Sequence, residues 1–401
     1  MKNKAILLVC IFVFSACNVS NTQAFATNFP SLPVPTPFIT FTPSPIPAAT
    51  LSPEPRRTPT FPPYTGEPFS IVFTRNRNIW IAEIGQETVE RQLTFEPEPM
   101  RVISFDVSPD QTRIAYIPYQ LEPLNSLVKL VEIATGETRV ILGKDDPFSE
   151  TRVIWLDNTK IAYKNQDSLA SSFVKQRVNN ITTFIVYDVD REAQVQVTRY
   201  HYLLPSPNQQ IWLGCYYGAE GCGHYFIQYA GSSTRYNLER GMELGWFLGW
   251  SPDSQYLLFN TVTSPDVCRS QLILIHVKTL EAKLITPNDQ NVWDASLSPS
   301  GNLLFYKQSE IADLGLCKSG KLDYWLMDLK NQAVQEILVE FKKDVWEFNW
   351  TPDGKRLVFF HDGYNGREHQ LWSMNVDGSD LKPILADVED FIILSDAPLL
   401  K

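Results

Sequence analysis

Asn349-Trp350-Thr351-Pro352-Asp353-Gly354, followed by Leu357-Val358-Phe359, sets an aromatic approach, a tight turn and an apolar strand in one short stretch. Proline presets φ at the first central position of a turn, and Asp, Asn or Gly tolerates the next and caps the backbone locally. The stretch therefore reads as a β-hairpin. The same unit recurs as Phe105-Asp106-Val107-Ser108-Pro109-Asp110 before Ile114-Ala115-Tyr116, and as Gly249-Trp250-Ser251-Pro252-Asp253 before Leu257-Leu258-Phe259. It recurs again as Leu297-Ser298-Pro299-Ser300-Gly301 before Leu303-Leu304-Phe305. Degenerate copies stand at Trp155-Leu156-Asp157-Asn158 and at Pro205-Ser206-Pro207-Asn208, so that six turns follow one another at intervals of 45 to 53 residues.

Each hairpin is followed by another β-rich run, such as Ile79-Trp80-Ile81-Ala82, Tyr324-Trp325-Leu326-Met327 or Leu371-Trp372-Ser373-Met374. A further short one follows, as in Arg91-Gln92-Leu93-Thr94 or Lys283-Leu284-Ile285-Thr286. Four strands at this period make one blade of a β-propeller, and no long stretch carries capped helical periodicity. The ends are complementary. Phe69 to Thr94 begins at its second strand, with no Pro-Asp turn before it, while Phe391-Ile392-Ile393-Leu394-Ser395-Asp396 is a spare innermost strand. Pairing the two closes a ring of seven blades, about 48 residues each over residues 69–401; a six-bladed ring is the alternative, should a degenerate copy prove to be an insertion.

The hairpins at Trp350 to Phe359, continuing to Asn375-Val376-Asp377-Gly378-Ser379, resemble the TolB-type, WD40-related propeller repeat over most of residues 69–401. The resemblance implies the fold and little about function. TolB itself is a periplasmic interaction protein, and similar repeats occur in the propeller domains of prolyl-oligopeptidase-like peptidases and in some sugar-acid lyases. Unlike the peptidase pattern, this sequence ends where a hydrolase domain would begin.

Working back from the repeats, residues 30–68 hold thirteen prolines and seven threonines with hardly any charge. Such a stretch favours polyproline II and reads, with the rest of residues 18–68, as a disordered, semi-stiff tether of about 3.1 Å per extended residue. Before it, Lys2 and Lys4 precede the apolar run Ala5 to Phe14, and Ser15-Ala16 precede Cys17. The run is too short for a permanent span. Residues 1–17 resemble a bacterial lipoprotein signal, which implies lipidation of Cys17 and a membrane-anchored, extracytoplasmic domain; Phe14 stands where that signal usually has leucine. An ordinary secretory signal cut near Ala24 or Ala26 is the alternative. Either route exposes the chain to an oxidising compartment. The four remaining cysteines, Cys215, Cys222, Cys268 and Cys317, are then candidates for two disulfides. Cys215 and Cys222 could staple a hairpin loop, and Cys268 and Cys317 lie in corresponding loops of adjacent blades.

With 44% apolar residues, 20% charged residues and a net charge of −10, the 401-residue chain can bury a large core and offers no basic stripe for nucleic acid. There is no G-x-S-x-G elbow, no H-E-x-x-H and no Walker A loop, and no cofactor or metal site is predicted. The five histidines are scattered, with only His361 and His369 sharing a loop, and read as locally satisfied residues. Asp106, Asp294, Glu347 and Asp390 fall on or just before innermost strands, where a facing carboxylate pair is what a glycosidase would need. Trp80, Trp250, Trp325 and Trp372 repeat in register and read as core between blades. The loops opposite the Pro-Asp turns are long and varied, which belongs at a binding face. Tyr119, Phe173, Tyr216, Tyr217, Trp293, Tyr364 and Arg367 are its candidate contacts, because aromatics and arginine dominate interface energetics. The expectation is a binding or scaffolding module for a protein or an envelope polymer; a carbohydrate-active enzyme using channel acids or histidines is the alternative.

Overall fold

Five of the Ser/Thr-Pro turns fold to one geometry. The amides of Ser108, Ser206, Ser251, Ser298 and Thr351 each donate to the carbonyl five residues on, at 2.7 to 3.0 Å, and their hydroxyls accept the amide of that same residue at 2.8 to 3.1 Å. In four of them the hydroxyl donates to Oδ1 of Asp110, Asn208, Asp253 or Asp353, at 2.5 to 2.8 Å. The left-handed residue comes one place later than the motif suggests. It is Gln111, Gln209, Ser254, Gly301 and Gly354 that take φ between 57° and 69°. Glycine removes the steric penalty of that conformation in two copies, and the carboxylate or amide bracing offsets it in the other three.

A computed structural model of the chain describes residues 61–120, 125–142, 152–165, 183–199, 202–218, 221–238, 244–264, 269–287, 291–309, 322–339, 341, 345–361 and 369–395. All belong to the compact unit Arg57–Lys401. The described strands form six sheets, and the eight-stranded one divides at its single parallel bridge, between Ser270 and Asn291, so that they can be taken as seven antiparallel units. The first holds β1 (Phe69–Arg75), β2 (Asn78–Ile84) and β3 (Val89–Gln92). The second holds β4 (Arg101–Val107), β5 (Arg113–Gln120), β7 (Val128–Glu132) and β8 (Thr138–Leu142), with the short β6 (Asn125–Ser126) beside β5. The third holds β9 (Val153–Trp155), β10 (Lys160–Asn165), β11 (Thr183–Asp188) and β12 (Ala193–Arg199). The fourth holds β13 (Tyr202–Pro205), β14 (Ile211–Gly218), β15 (Gly221–Tyr229) and β16 (Arg235–Asn237). The fifth holds β17 (Leu244–Trp250), β18 (Tyr256–Ser264), β19 (Arg269–His276) and β20 (Ala282–Leu284). The sixth holds β21 (Asn291–Leu297), β22 (Leu303–Ser309), β23 (Leu322–Asp328) and β24 (Val334–Ile337). The seventh holds β25 (Val345–Trp350), β26 (Arg356–His361), β27 (His369–Asn375) and β28 (Lys382–Val388), after which β29 (Asp390–Ile393) joins the first unit.

That last step closes the array. Ile393, Ile392, Phe391 and Asp390 pair antiparallel with Ile71, Val72, Phe73 and Thr74, which is the end-to-end pairing that the spare strand predicts. The chain is an all-β propeller. Inner strands such as β1 and β26 are buried on both faces, between the units on either side, and the core is accordingly a series of inter-unit clusters. Trp80, Trp250, Trp325 and Trp372 pack against four of these clusters, as expected from their register. Polar seams supplement them. Asp106 Oδ2 on β4 accepts the Trp155 amide of β9 at 2.7 Å, while Trp155 Nε1 donates to the Asp106 carbonyl at 3.1 Å. Trp350 Nε1 makes the corresponding bond to the Ser296 carbonyl at 3.0 Å. Between the fifth and sixth units the seam is neutral: Ser270 pairs in parallel with Asn291, and its Oγ donates to the Val292 carbonyl at 2.5 Å.

The chain also enters the fold earlier than its proline content suggests. Tyr64 is 3% exposed and shares a core cluster with strands of the first and seventh units.

Candidate functional site

Antiparallel connectivity gives each unit two ends. The Ser-Pro-Asp turns and the turns from third to fourth strand share one end, here the turn face; the connections from second to third strand and into the next unit share the other, the loop face. Residues 63–67 lie at the turn face, where Thr65, Gly66 and Glu67 line a cavity with Asp353 and Lys355 of one turn and Asp380 of another.

The innermost strands β29, β4, β9 and β13 line a cavity of about 570 Å³, walled by Ile103, Phe105, Ile154, Leu204, Pro205 and Ile392 and carrying Asp106, Arg152 and Asp390. A second cavity of about 330 Å³, sharing Ile103, Phe105 and Asp390 with the first, reaches Thr74, Val102, Glu347 and Glu389. Both lie along the axis that the innermost strands enclose. The four channel acids are therefore all on innermost strands, and three of them interact. Burial raises the Glu347 carboxyl above its ordinary range, and the negative charges of Asp390 and Asp294 push it the same way. Burial likewise raises Asp390, against the Phe391 amide and the Arg152 charge. Glu389 is raised by burial against the charges of Arg101, Arg77 and His369. Asp106 is pushed up by burial to about 6, in spite of the Trp155 and Val107 amides and Arg152. Asp294 is ion-paired with Lys307 Nζ at 3.0 Å.

Sequence reading missed how four of the innermost strands are aimed. Each bulges in its loop-face half: at Ile103 between Val102 and Ser104, at Gly245-Trp246 between Leu244 and Phe247, at Trp293 between Val292 and Asp294, and at Glu347-Phe348 between Trp346 and Asn349. A bulge adds one residue to its strand and turns a side chain out of the ladder. Ile103 is 37% exposed and Trp246 61%, and Phe95, beside the turn that joins β1 to β2, is 77% exposed. Glu347 takes φ of 56°, an unusual conformation for a residue with a Cβ. The signal was present as broken alternation, for instance in Leu244-Gly245-Trp246-Phe247, but alternation alone does not say which residue is extra.

Of the predicted contacts, Tyr119 lies on β5, half-buried, opposite Arg101 and Ser126. Tyr216, Tyr217 and Trp293 lie on β14 and β21, with their side chains outside the described part. Phe173, Tyr364, Arg367, Cys17, Cys268 and Cys317 lie outside the described residues. Cys215 is wholly buried and disulfide-bonded; the side chain of Cys222, on β15, is outside the described part. His361 ends β26 and His369 begins β27, so the two stand at either end of the connection to which the sequence assigns them. His361 packs at 4.5 Å from the Trp372 ring and His369 at 5.2 Å from Trp346. Among the described residues no group of three or more His, Cys, Asp or Glu is placed to hold a metal ion.

No family model and no curated protein matches the chain. Solved structures do. A prolyl endopeptidase aligns over 80% of this chain and 50% of its own at 13% identity, with a TM-score of 0.56. Oligogalacturonate lyase from Vibrio parahaemolyticus aligns over 77% and 83% at 14% identity, with a TM-score of 0.54. TolB from Acinetobacter baumannii aligns over 80% and 65% at 12% identity, with a TM-score of 0.45. The chain thus spans about half the length of the endopeptidase and less than two thirds of TolB. At these identities the likeness is one of fold.

Proposed function

We propose that the chain is an extracytoplasmic binding or scaffolding module, anchored through Cys17, whose seven blades present the loop face to a protein or an envelope polymer. The observation that carries this reading is the opposition of the two faces. The N-terminal lead-in meets the turn face, and the exposed apolar residues Phe95, Ile103 and Trp246 sit at the loop face. A domain entered from one face keeps the other free, and exposed apolar side chains beside a polar channel mark interaction surfaces. Long loops at the same end add to it. Disulfides, one of them through Cys215 and the other between Cys268 and Cys317, would suit an oxidising compartment.

The purified full chain, titrated with peptidoglycan fragments, glycans and co-purified envelope proteins, should show a partner whose affinity falls about tenfold or more in Trp246→Ala while the unfolding midpoint stays unchanged. A partner insensitive to Trp246→Ala and lost in the turn-face variant Lys355→Ala would place the binding surface on the wrong face. Turnover of a glycan, abolished in Glu347→Gln, would instead establish the carbohydrate-active alternative. Palmitate incorporation, compared between wild type and Cys17→Ala, tests the anchor separately.

A further inference from the structure

We propose that Pro63 to Glu67 form a strap that locks the ring junction, so that Tyr64 has to leave its socket before β29 and β1 can separate. The Tyr64 ring belongs to the same cluster as Phe69, Ile71 and Phe73 of β1, Leu385 of β28 and Phe391 of β29. It meets Phe69 edge-on at 5.4 Å. Two cations lie against it: the Arg356 guanidinium at 5.1 Å and Lys382 Nζ at 5.5 Å from the ring centre. A cation over an aromatic face is attracted by the ring quadrupole, the more so when water is excluded. Both cations are held by one carboxylate, Asp380 Oδ2, at 2.7 and 3.1 Å. The strap backbone is fastened as well. Lys382 Nζ donates to the Pro63 carbonyl at 3.0 Å and to Thr65 Oγ1 at 3.2 Å, and Thr65 Oγ1 donates to Asp380 Oδ2 at 3.2 Å.

Gly66 makes the fit possible. A Cβ there would fall 2.7 Å from Tyr64 Cζ, inside any tolerable contact. Among the described residues the Tyr64 hydroxyl has no hydrogen-bond partner, so the ring and not the phenol does the fastening. Because the strap runs directly into β1, the strand paired with β29, a pull on the N-terminal side meets the socket before it can shear that pairing. The lock stands by itself; only its use as strain relief rests on the anchored reading given above.

Hydrogen exchange on the full chain tests it. Tyr64→Ala should raise exchange about tenfold or more at Ile71 to Phe73 and at Phe391 to Ile393 while leaving Leu257 to Phe259 of the fifth unit unchanged, because sub-global opening is confined to the elements released. Gly66→Val should do the same with the tyrosine intact, and Tyr64→Phe should exchange as wild type. Lys382→Met, which removes the two strap fastenings made by Lys382 and keeps the ring, gives a milder form of the same local pattern and serves if Tyr64→Ala does not fold. Unchanged exchange at the junction in these variants, or an equal rise in the fifth unit, overturns the lock. None of the substitutions touches the loop face, so partner binding there succeeds or fails independently.

Discussion

Leu385 and Leu284 occupy the outermost strands of the seventh and fifth units, yet Leu385 is 1% exposed and Leu284 is 49% exposed. Outermost strands are edges. β16 and β20 are exposed along their whole length, whereas five of the seven residues of β28 are buried. The difference lies in what covers them. β28 is overlaid by the strap, and the Arg75 guanidinium of β1 reaches across to donate to the Ala386 carbonyl at 2.7 and 3.1 Å. Arg75 is itself held by Glu90 and lies 4.8 Å from the Phe73 ring. Seams between units made in sequence order carry arginine contacts too, such as Arg113 to Asp190 at 2.8 Å and Arg139 to the Val189 carbonyl at 3.0 Å. The chain passes from the seventh unit to the first through Glu389, between β28 and β29, but β29 is held to β1 by strand pairing alone, and beside that joint an edge strand has become core.

The same substitution in both strands measures this directly. Leu385→Ala removes a buried side chain from the junction cluster and should cost about 2–5 kcal/mol. Leu284→Ala removes one that is half in water and should stay within about 0.5 kcal/mol. Urea midpoints at constant m report both. Equal losses would mean that the cover over β28 contributes nothing.

A second contrast lies between a charged seam and a neutral one. Asp106 joins the second and third units through a carboxylate, and Ser270 with Asn291 joins the fifth and sixth without charge. The Asp106 carboxyl, raised to about 6 from its ordinary 3.8, binds its proton more tightly in the folded than in the unfolded chain. Its contribution is therefore fully present below about pH 3.8 and is lost as pH rises towards 6, by roughly 3 kcal/mol at most. The unfolding free energy of wild type minus that of Asp106→Asn should fall across this window and then level off. The corresponding difference for Asn291→Ala should be flat over the same range. A flat difference for Asp106→Asn would show that its burial is relieved by water in solution.

Much of this architecture was legible because it is local and repeated. A Ser-Pro-Asp turn carries its own hydrogen-bond set, so each copy announces a hairpin wherever it stands, and the unpaired Phe391 to Asp396 announces the closure. Tyr64 was not legible. Thirteen prolines hide one aromatic residue whose socket is assembled from Arg356 and Lys382, some three hundred residues away. The channel acids were found on the right strands, but their mutual influence depends on distances across a ring. The bulges at Ile103 and Trp246 escaped for a related reason. An extra residue is defined by the partner strand and not by its own sequence.

The repeated turn contains a natural variant that sharpens the point about local coding. The fifth unit has Asp253 two residues after Ser251, and the sixth has Ser300 two residues after Ser298. Asp253 Oδ1 accepts the Ser251 hydroxyl at 2.6 Å and the Gln255 amide at 3.0 Å, whereas the Ser300 hydroxyl stands 3.1 Å from Ser298 Oγ and 3.4 Å from the Asn302 amide. Hydrogen bonds to a carboxylate are shorter and stronger than those between hydroxyls. Asp253→Ala should therefore cost about 1 kcal/mol, and Ser300→Asp should stabilise by a smaller amount, about 0.5 kcal/mol, with both read as shifts of the urea midpoint. The sixth turn already has Gly301 at its left-handed position, at φ of 69°, while the fifth holds Ser254 there at 60°. The serine backbone depends on the carboxylate brace more than the glycine does. If Ser300→Asp gains as much as Asp253→Ala loses, the brace acts through its hydrogen bonds alone, and the left-handed residue beside it is incidental to how the turn is held.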